Sequence, residues 1–187
     1  MLEVRGRKAT NIQSSLFSII MDAREILNCV EQYLFIISEE GWSEIDNTEM
    51  FKKYPKLLIA TITSLKYEII IGVAKLTDTN LDTICLEKLF NQCEQCKMVN
   101  FKNLINKYRN EIKKYDYLLK KYIKTARDKI YAHIDYSFNA NKIDKYGDYL
   151  LDSSILTSIK KFLELVINLC IDFSKLYDND KMMLGKE

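Results

Sequence analysis

A chain of 187 residues fits one domain, and at this size a single core can bury most of the apolar surface. Its 48% hydrophobic and 29% charged residues exclude a disordered chain, and one Pro with five Gly argues against a turn-rich all-β sandwich. The net charge of +2 is too small to argue for nucleic acid on its own.

Val4 to Lys8 is polar and no long apolar run with a small-residue cleavage site follows, so no secretory leader is expected. Residues 11–38 place Leu16, Ile19/Ile20, Ala23, Ile26/Leu27, Val30, Leu34 and Ile37 at helical spacing and predict a first long helix, ended by Gly41. Trp42 to Thr48 reads as a loop. Pro55 suits the first turn of a second helix, 56–77, apolar nearly all round and expected to be the central helix of a bundle. Lys66, Glu68 and Lys75 interrupt its apolar run, which argues against a membrane span. "LTDTNLD", Leu76 to Asp82, is a loop of turn and cap formers. Leu86, Leu89, Phe90 and Cys93 predict a short helix. A longer helix follows from about Asn100, with a stripe of Phe101, Leu104/Ile105, Tyr108, Ile112, Tyr115, Leu119, Tyr122 and Ala126. Asn139 to Asp148 is the next break. Asp152 or Ser153 caps a last helix carrying Ile155/Leu156, Ile159, Phe162/Leu163, Val166, Leu169/Cys170 and Phe173. Residues after Lys175 read as a frayed tail, leaving a core of about 10–175.

Four long amphipathic helices, a short extra one and no convincing strand predict an all-α fold, an antiparallel up-and-down helical bundle in a single domain. Five cysteines, an odd number, suit a reducing cytoplasm. Cys93-Glu-Gln-Cys96 is a CxxC pair with Cys85 as a third candidate ligand. A fourth ligand is missing, so free thiols and no metal or other cofactor are expected. Tyr108, Tyr115 and Tyr122 sit at helical spacing and read as packing rather than a base-stacking platform.

Charge distribution is more informative than its sum. Lys102 to Lys129 holds ten Lys/Arg and three Asp/Glu, a local net of +7, so the rest sums to −5. That is either a polyanion surface or a solvated helix face. The stretch ends in "TARDKIYAHID", Thr125 to Asp135, with His133, the chain's single histidine. The stripe from Tyr115 lands on His133 in steps of three or four, which suits a hydrogen-bonded core histidine or one at an interface. Arg127, six residues earlier, lies roughly 120° away around the helix, while Lys129 at i−4 shares the face of His133. Chemically the group suits RNA cleavage by the RNA's own 2′-hydroxyl. A histidine moves protons near neutral pH, and a forked guanidinium binds phosphate, with no metal needed. One histidine is a poor supply for two proton transfers, and a symmetric dimer would provide the second.

"ARDKIYAHID" resembles the R-x4–6-H motif of HEPN domains, here as R-x5-H. "IGVAKLTDTNLDTICLEKLF", Ile71 to Phe90, is similar to the "LxRLTD…SLxxL" segment of the AbiU-like HEPN branch, named for abortive phage infection. There the segment precedes an "R-[DN]-K-x-x-AH-x-D" helix, which Arg127, Asp128, Lys129, Ala132, His133 and Asp135 fit. Tyr131 beside the smaller Ala132 departs from many branch members. The resemblance covers roughly residues 10–175. It implies a helical bundle that dimerises through the motif helix, and a metal-independent endoribonuclease acting as a toxin or phage-defence effector, sometimes paired with a nucleotidyltransferase antitoxin. It assigns phosphate binding to Arg127, acid/base work to His133 and orientation of the Arg or the RNA to Asp128. The charge count adds Lys120, Lys121, Lys124 and Lys129 as RNA contacts. The family also holds non-catalytic members, so a dimerisation or regulatory module binding RNA or a partner protein is the alternative.

Overall fold

The computed structural model describes residues 2–80, 82–95, 99–128 and 152–184. In chain order the helices are α1 (Leu2–Ile36), α2 (Glu39–Asn47), α3 (Glu49–Lys53), α4 (Pro55–Leu76), α5 (Leu86–Gln95), α6 (Val99–Lys113), α7 (116–128) and α8 (Ser153–Leu184). No strand occurs among the described residues, and the fold is an all-α helical bundle.

Two matched repeats set its axis. Buried side chains of α1 fall at Ile12, Leu16, Ile19, Ala23, Ile26, Val30 and Tyr33. Those of α8 fall at Leu156, Ile159, Leu163, Val166, Cys170, Phe173 and Tyr177. Steps alternating between three and four keep a seam on one face, so α1 and α8 touch along much of their length. They run antiparallel: Lys160 near the start of α8 pairs with Glu31 near the end of α1 at 2.7 Å. Leu16 and Phe17 line a shared hollow with Cys170 and Tyr177 at the other end. Helix α4 lies antiparallel to α1, with Lys75 on Asp22 at 2.8 Å and Lys66 over the Tyr33 ring at 5.8 Å. Gly72 permits the approach, since a Cβ there would meet Ile26 Cγ1 at 2.5 Å. On the other side of α8, Phe173 gathers Phe90 (6.2 Å between ring centres), Phe101 (5.5 Å) and Tyr108 (6.4 Å), joining α5 and α6 to the core. Each such buried ring or branched aliphatic contributes roughly 1.5–3 kcal/mol.

Local signals explain the ends. Pro55 opens α4 in its first turn. Asp152 Oδ1 accepts from the backbone N–H groups of Ser154 (2.9 Å) and Ile155 (2.8 Å), capping α8. These bonds, the Ser154 hydroxyl first, hold the Asp152 carboxyl below its ordinary value.

Five expectations change. Residues 42–47 are helical, not a loop, and Thr48 separates α2 from α3. Ser38 caps α2 by accepting from the Gly41 N–H at 3.0 Å, and Glu39 and Glu40 occupy the favourable first turn. Gly41 is therefore no terminator. It is buried, and a Cβ there would overlap the Phe35 carbonyl. The expected long helix from Asn100 is two, broken at 114–115. Helix α8 continues past Lys175 to Leu184 because Tyr177 still packs, at 6% exposure. Helix α4 is not the centre. Among the described residues it is the one helix long and apolar enough to cross a membrane, yet only its second half is sealed, by Leu65, Ile69, Ile70, Val73, Ala74 and Leu76 against the bundle. In its first half Leu57 and Ile59 are exposed.

Candidate nucleic-acid interface

Helix α7 begins two residues after α6 ends its turn, and its centre, Leu118–Ile123, is π-helical. The wider turn has a packing cause. Leu118, Leu119, Ile123 and Ala126 are all buried, and α7 rests on α4 and α8 through this segment. Steps of four drift off the face of a 3.6-residue turn, whereas the wider turn holds them on it. Lys120, Lys121, Lys124, Thr125 and Asp128 are left on the solvent side.

Arg127 follows Ala126 at the margin of that buried face, its side chain 27% exposed. Its Nε and Nη2 both donate to Asp128 Oδ1, at 3.0 and 2.8 Å. The guanidinium is thus held to one side by the next residue. Lys120 pairs with Asp116 at 2.6 Å. Lys121 Nζ donates to the Tyr117 hydroxyl at 2.7 Å and lies 4.7 Å from its ring centre. Tyr122 meets that ring edge-on at 5.5 Å. The bond from Lys121, then that with Tyr122, draws the Tyr117 phenol below its ordinary value, and the same bond raises the Lys121 ammonium. Lys124 is exposed, and no ion pair holds it among the described residues.

The structure brings Arg127, Asp128, Lys120, Lys121 and Lys124 onto one helix. His133, Lys129 and the rest of the motif from Ile130 to Asp135 lie outside the described residues, as do the Asn139–Asp148 break and Cys96. The basic run is also less bare than its count implies. In α6, Arg109 is clamped by Glu87 (2.8 Å) and Glu94 (2.6 Å) over Phe90, and Lys107 reaches Asp172 at 3.5 Å. Tyr108 is buried with its hydroxyl on Asp172 at 2.7 Å, and Tyr115 packs edge-on against Phe162. Cys85 and Cys93 are buried, and among the described residues no three His, Cys, Asp or Glu side chains gather to hold a metal ion. Burial alone pushes the Cys170 thiol up to about 12.

The "LTDTNLD" segment has a structural part. The Asn80 N–H donates to Asp78 Oδ1 and the Asp82 N–H to Asn80 Oδ1, both at 3.1 Å. The Thr83 hydroxyl donates to the Asn80 carbonyl at 2.9 Å. These side-chain bonds brace the turn that follows α4. Tyr117, 61% exposed, sits between stripe positions, where helical periodicity does not single it out. Its signal was an aromatic off the apolar face within a lysine run.

The surface hollow at the α1–α2 corner, lined by Ile37, Ser38, Trp42 and Asp46, contains none of the predicted residues. No curated protein and no solved structure shows significant similarity to the chain. The family model for AbiU2, a HEPN family, matches residues 22–182, which include both the "KLTDTNLD" turn and the Arg127–His133 stretch. The chain belongs to the AbiU2 family of HEPN domains, and its function is related to abortive infection.

Proposed function

We propose that this protein is a metal-independent endoribonuclease, a cytoplasmic toxin or phage-defence effector acting through Arg127 and His133 at a site shared by two copies. His133 removes the proton of a 2′-hydroxyl, whose oxygen attacks the adjacent phosphorus. Arg127 offsets the charge of the crowded phosphorane. The bond from phosphorus to the 5′-oxygen breaks, and that oxygen takes a proton from His133 of the second copy. The products are a 2′,3′-cyclic phosphate and a 5′-hydroxyl. Asp128 orients the guanidinium, and Lys120, Lys121, Lys124 and Lys129 hold the RNA backbone. A nucleotidyltransferase-type antitoxin is the partner this reading proposes.

One observation carries it: the half-buried Arg127 guanidinium, turned onto Asp128, on a helix with three lysines on its outer side. A forked donor held in place at a basic edge suits a phosphate oxygen pair. The test is an RNA carrying one 2′-deoxy residue at the mapped cut. Cleavage there stops and the uncut positions are unaffected. Cleavage that persists at the deoxy position contradicts the mechanism.

The exposed apolar side chains Trp42, Leu57 and Ile59 favour a second reading, a module that binds a partner protein without catalysis. It predicts association that is indifferent to His133→Ala and no RNA cleavage.

A further inference from the structure

We propose that Tyr117, braced by Lys121, is a stacking platform for one unpaired base of single-stranded RNA whose scissile phosphate sits at Arg127. The inference rests on the ribonuclease reading and names the form of RNA that the site takes.

Three observations converge. Tyr117 has no role in the core: it is 61% exposed, while Tyr108 is sealed at 3% and Tyr115 packs on Phe162. Its ring is nevertheless held. Lys121 binds the hydroxyl at 2.7 Å across the wide turn, and Tyr122 closes on the ring at 5.5 Å with an interplanar angle of 72°. A ring already fixed loses little freedom when a base stacks on it. Finally, cations continue from it toward the reacting group. Lys120 and Lys124 are exposed one turn apart along α7, and Arg127 follows. Aromatic faces set in a basic track bind single strands with little sequence preference, because every base offers a π-face. Ten residues of helix, with the wider and shorter-rising turn among them, put Tyr117 at most about 15 Å along the axis from Arg127. That is about four nucleotides of a strand stacked at ~3.4 Å each. Duplex RNA would keep its bases paired and unavailable to the ring, so the platform selects unpaired RNA.

The experiment uses the full chain and a short single-stranded 2′-O-methyl oligonucleotide, which cannot be cut, with binding read by fluorescence anisotropy. A set of the same oligonucleotide carries one abasic position, moved along the strand. Tyr117→Ala weakens binding about 5- to 100-fold. Tyr117→Phe, which keeps the ring but loses the Lys121 brace, weakens binding by less than Tyr117→Ala, and neither variant changes the salt dependence. One abasic position costs the wild type the same factor and costs Tyr117→Ala nothing more. Lys120→Ala, by contrast, lowers the salt slope by about 0.7. Wild-type affinity in Tyr117→Ala overturns the platform, as does a loss additive with every abasic position. If the wild-type chain binds no such oligonucleotide, the ribonuclease reading itself fails.

Discussion

Helices α6 and α7 follow one another in the chain and carry the same two residue types, lysine or arginine and tyrosine, in opposite situations. In α6 the charges bridge to other helices: Arg109 to Glu87 and Glu94 on α5, Lys107 and the Tyr108 hydroxyl to Asp172 on α8. In α7 the partners belong to α7 itself, Asp116 for Lys120, Tyr117 for Lys121 and Asp128 for Arg127. A cation tied to another element holds the fold. A cation held only by its own helix stays on the solvent side and is free to meet a phosphate. Which element supplies the partner, more than the local charge, separates structure from site.

The contrast can be broken from either side. Phe173→Ala removes the ring on which Phe90, Phe101 and Tyr108 converge and costs about 3–5 kcal/mol in urea denaturation. RNA affinity per folded molecule is expected to stay the same, and a parallel fall in both would show that α6 contributes to the site. Arg127→Ala does the reverse. Single-turnover RNA cleavage falls about 10²–10³-fold, while stability moves by less than about 1 kcal/mol. Arg109→Ala lowers stability by up to about 1 kcal/mol, discounted because its carboxylate partners are partly exposed, and leaves RNA binding alone. Lys124→Ala leaves the unfolding midpoint in place and lowers the slope of log affinity against log salt by about 0.7. An Arg109 variant that alters the salt slope would erase the distinction.

The smallest effect is confined to alkaline pH. Burial first, and then the hydrogen bond to Asp172, raise the Tyr108 phenol above its ordinary value of 10.0. The folded state therefore keeps a proton that the unfolded chain gives up. This contribution is complete below pH 10 and is lost as pH rises beyond it. Melting curves on either side of pH 10 should show a loss in the wild type that is shallower in Tyr108→Phe.

Much of this was legible in the sequence where one local signal sufficed. Pro55, the Leu86–Cys93 stripe and the Asp152 cap each gave their element within a residue or two. Gly41 misled because a glycine needed for close packing looks, in one dimension, like a glycine that ends a helix. The break at 114–115 was hidden because the apolar stripe runs through it in phase, from Ile112 and Tyr115 to Leu119. Only the seating of α7 on α4 and α8 requires the wide turn. An all-apolar α4 suggested a central helix, yet apolar residues at Leu57 and Ile59 remain exposed, since composition does not say how many neighbours surround a helix. At the site, Arg127 and Asp128 were legible as adjacent motif residues. Tyr117 was not, because periodicity scores only what points inward.

The central claim is that Arg127 and His133 cleave RNA without a metal. The most direct measurement is incubation of the purified chain with single-stranded RNA at neutral pH in excess EDTA, beside His133→Ala. The account predicts undiminished wild-type cleavage, with fragments ending in 2′,3′-cyclic phosphate, and none by the variant. Cleavage that EDTA abolishes, or that His133→Ala retains, would contradict it.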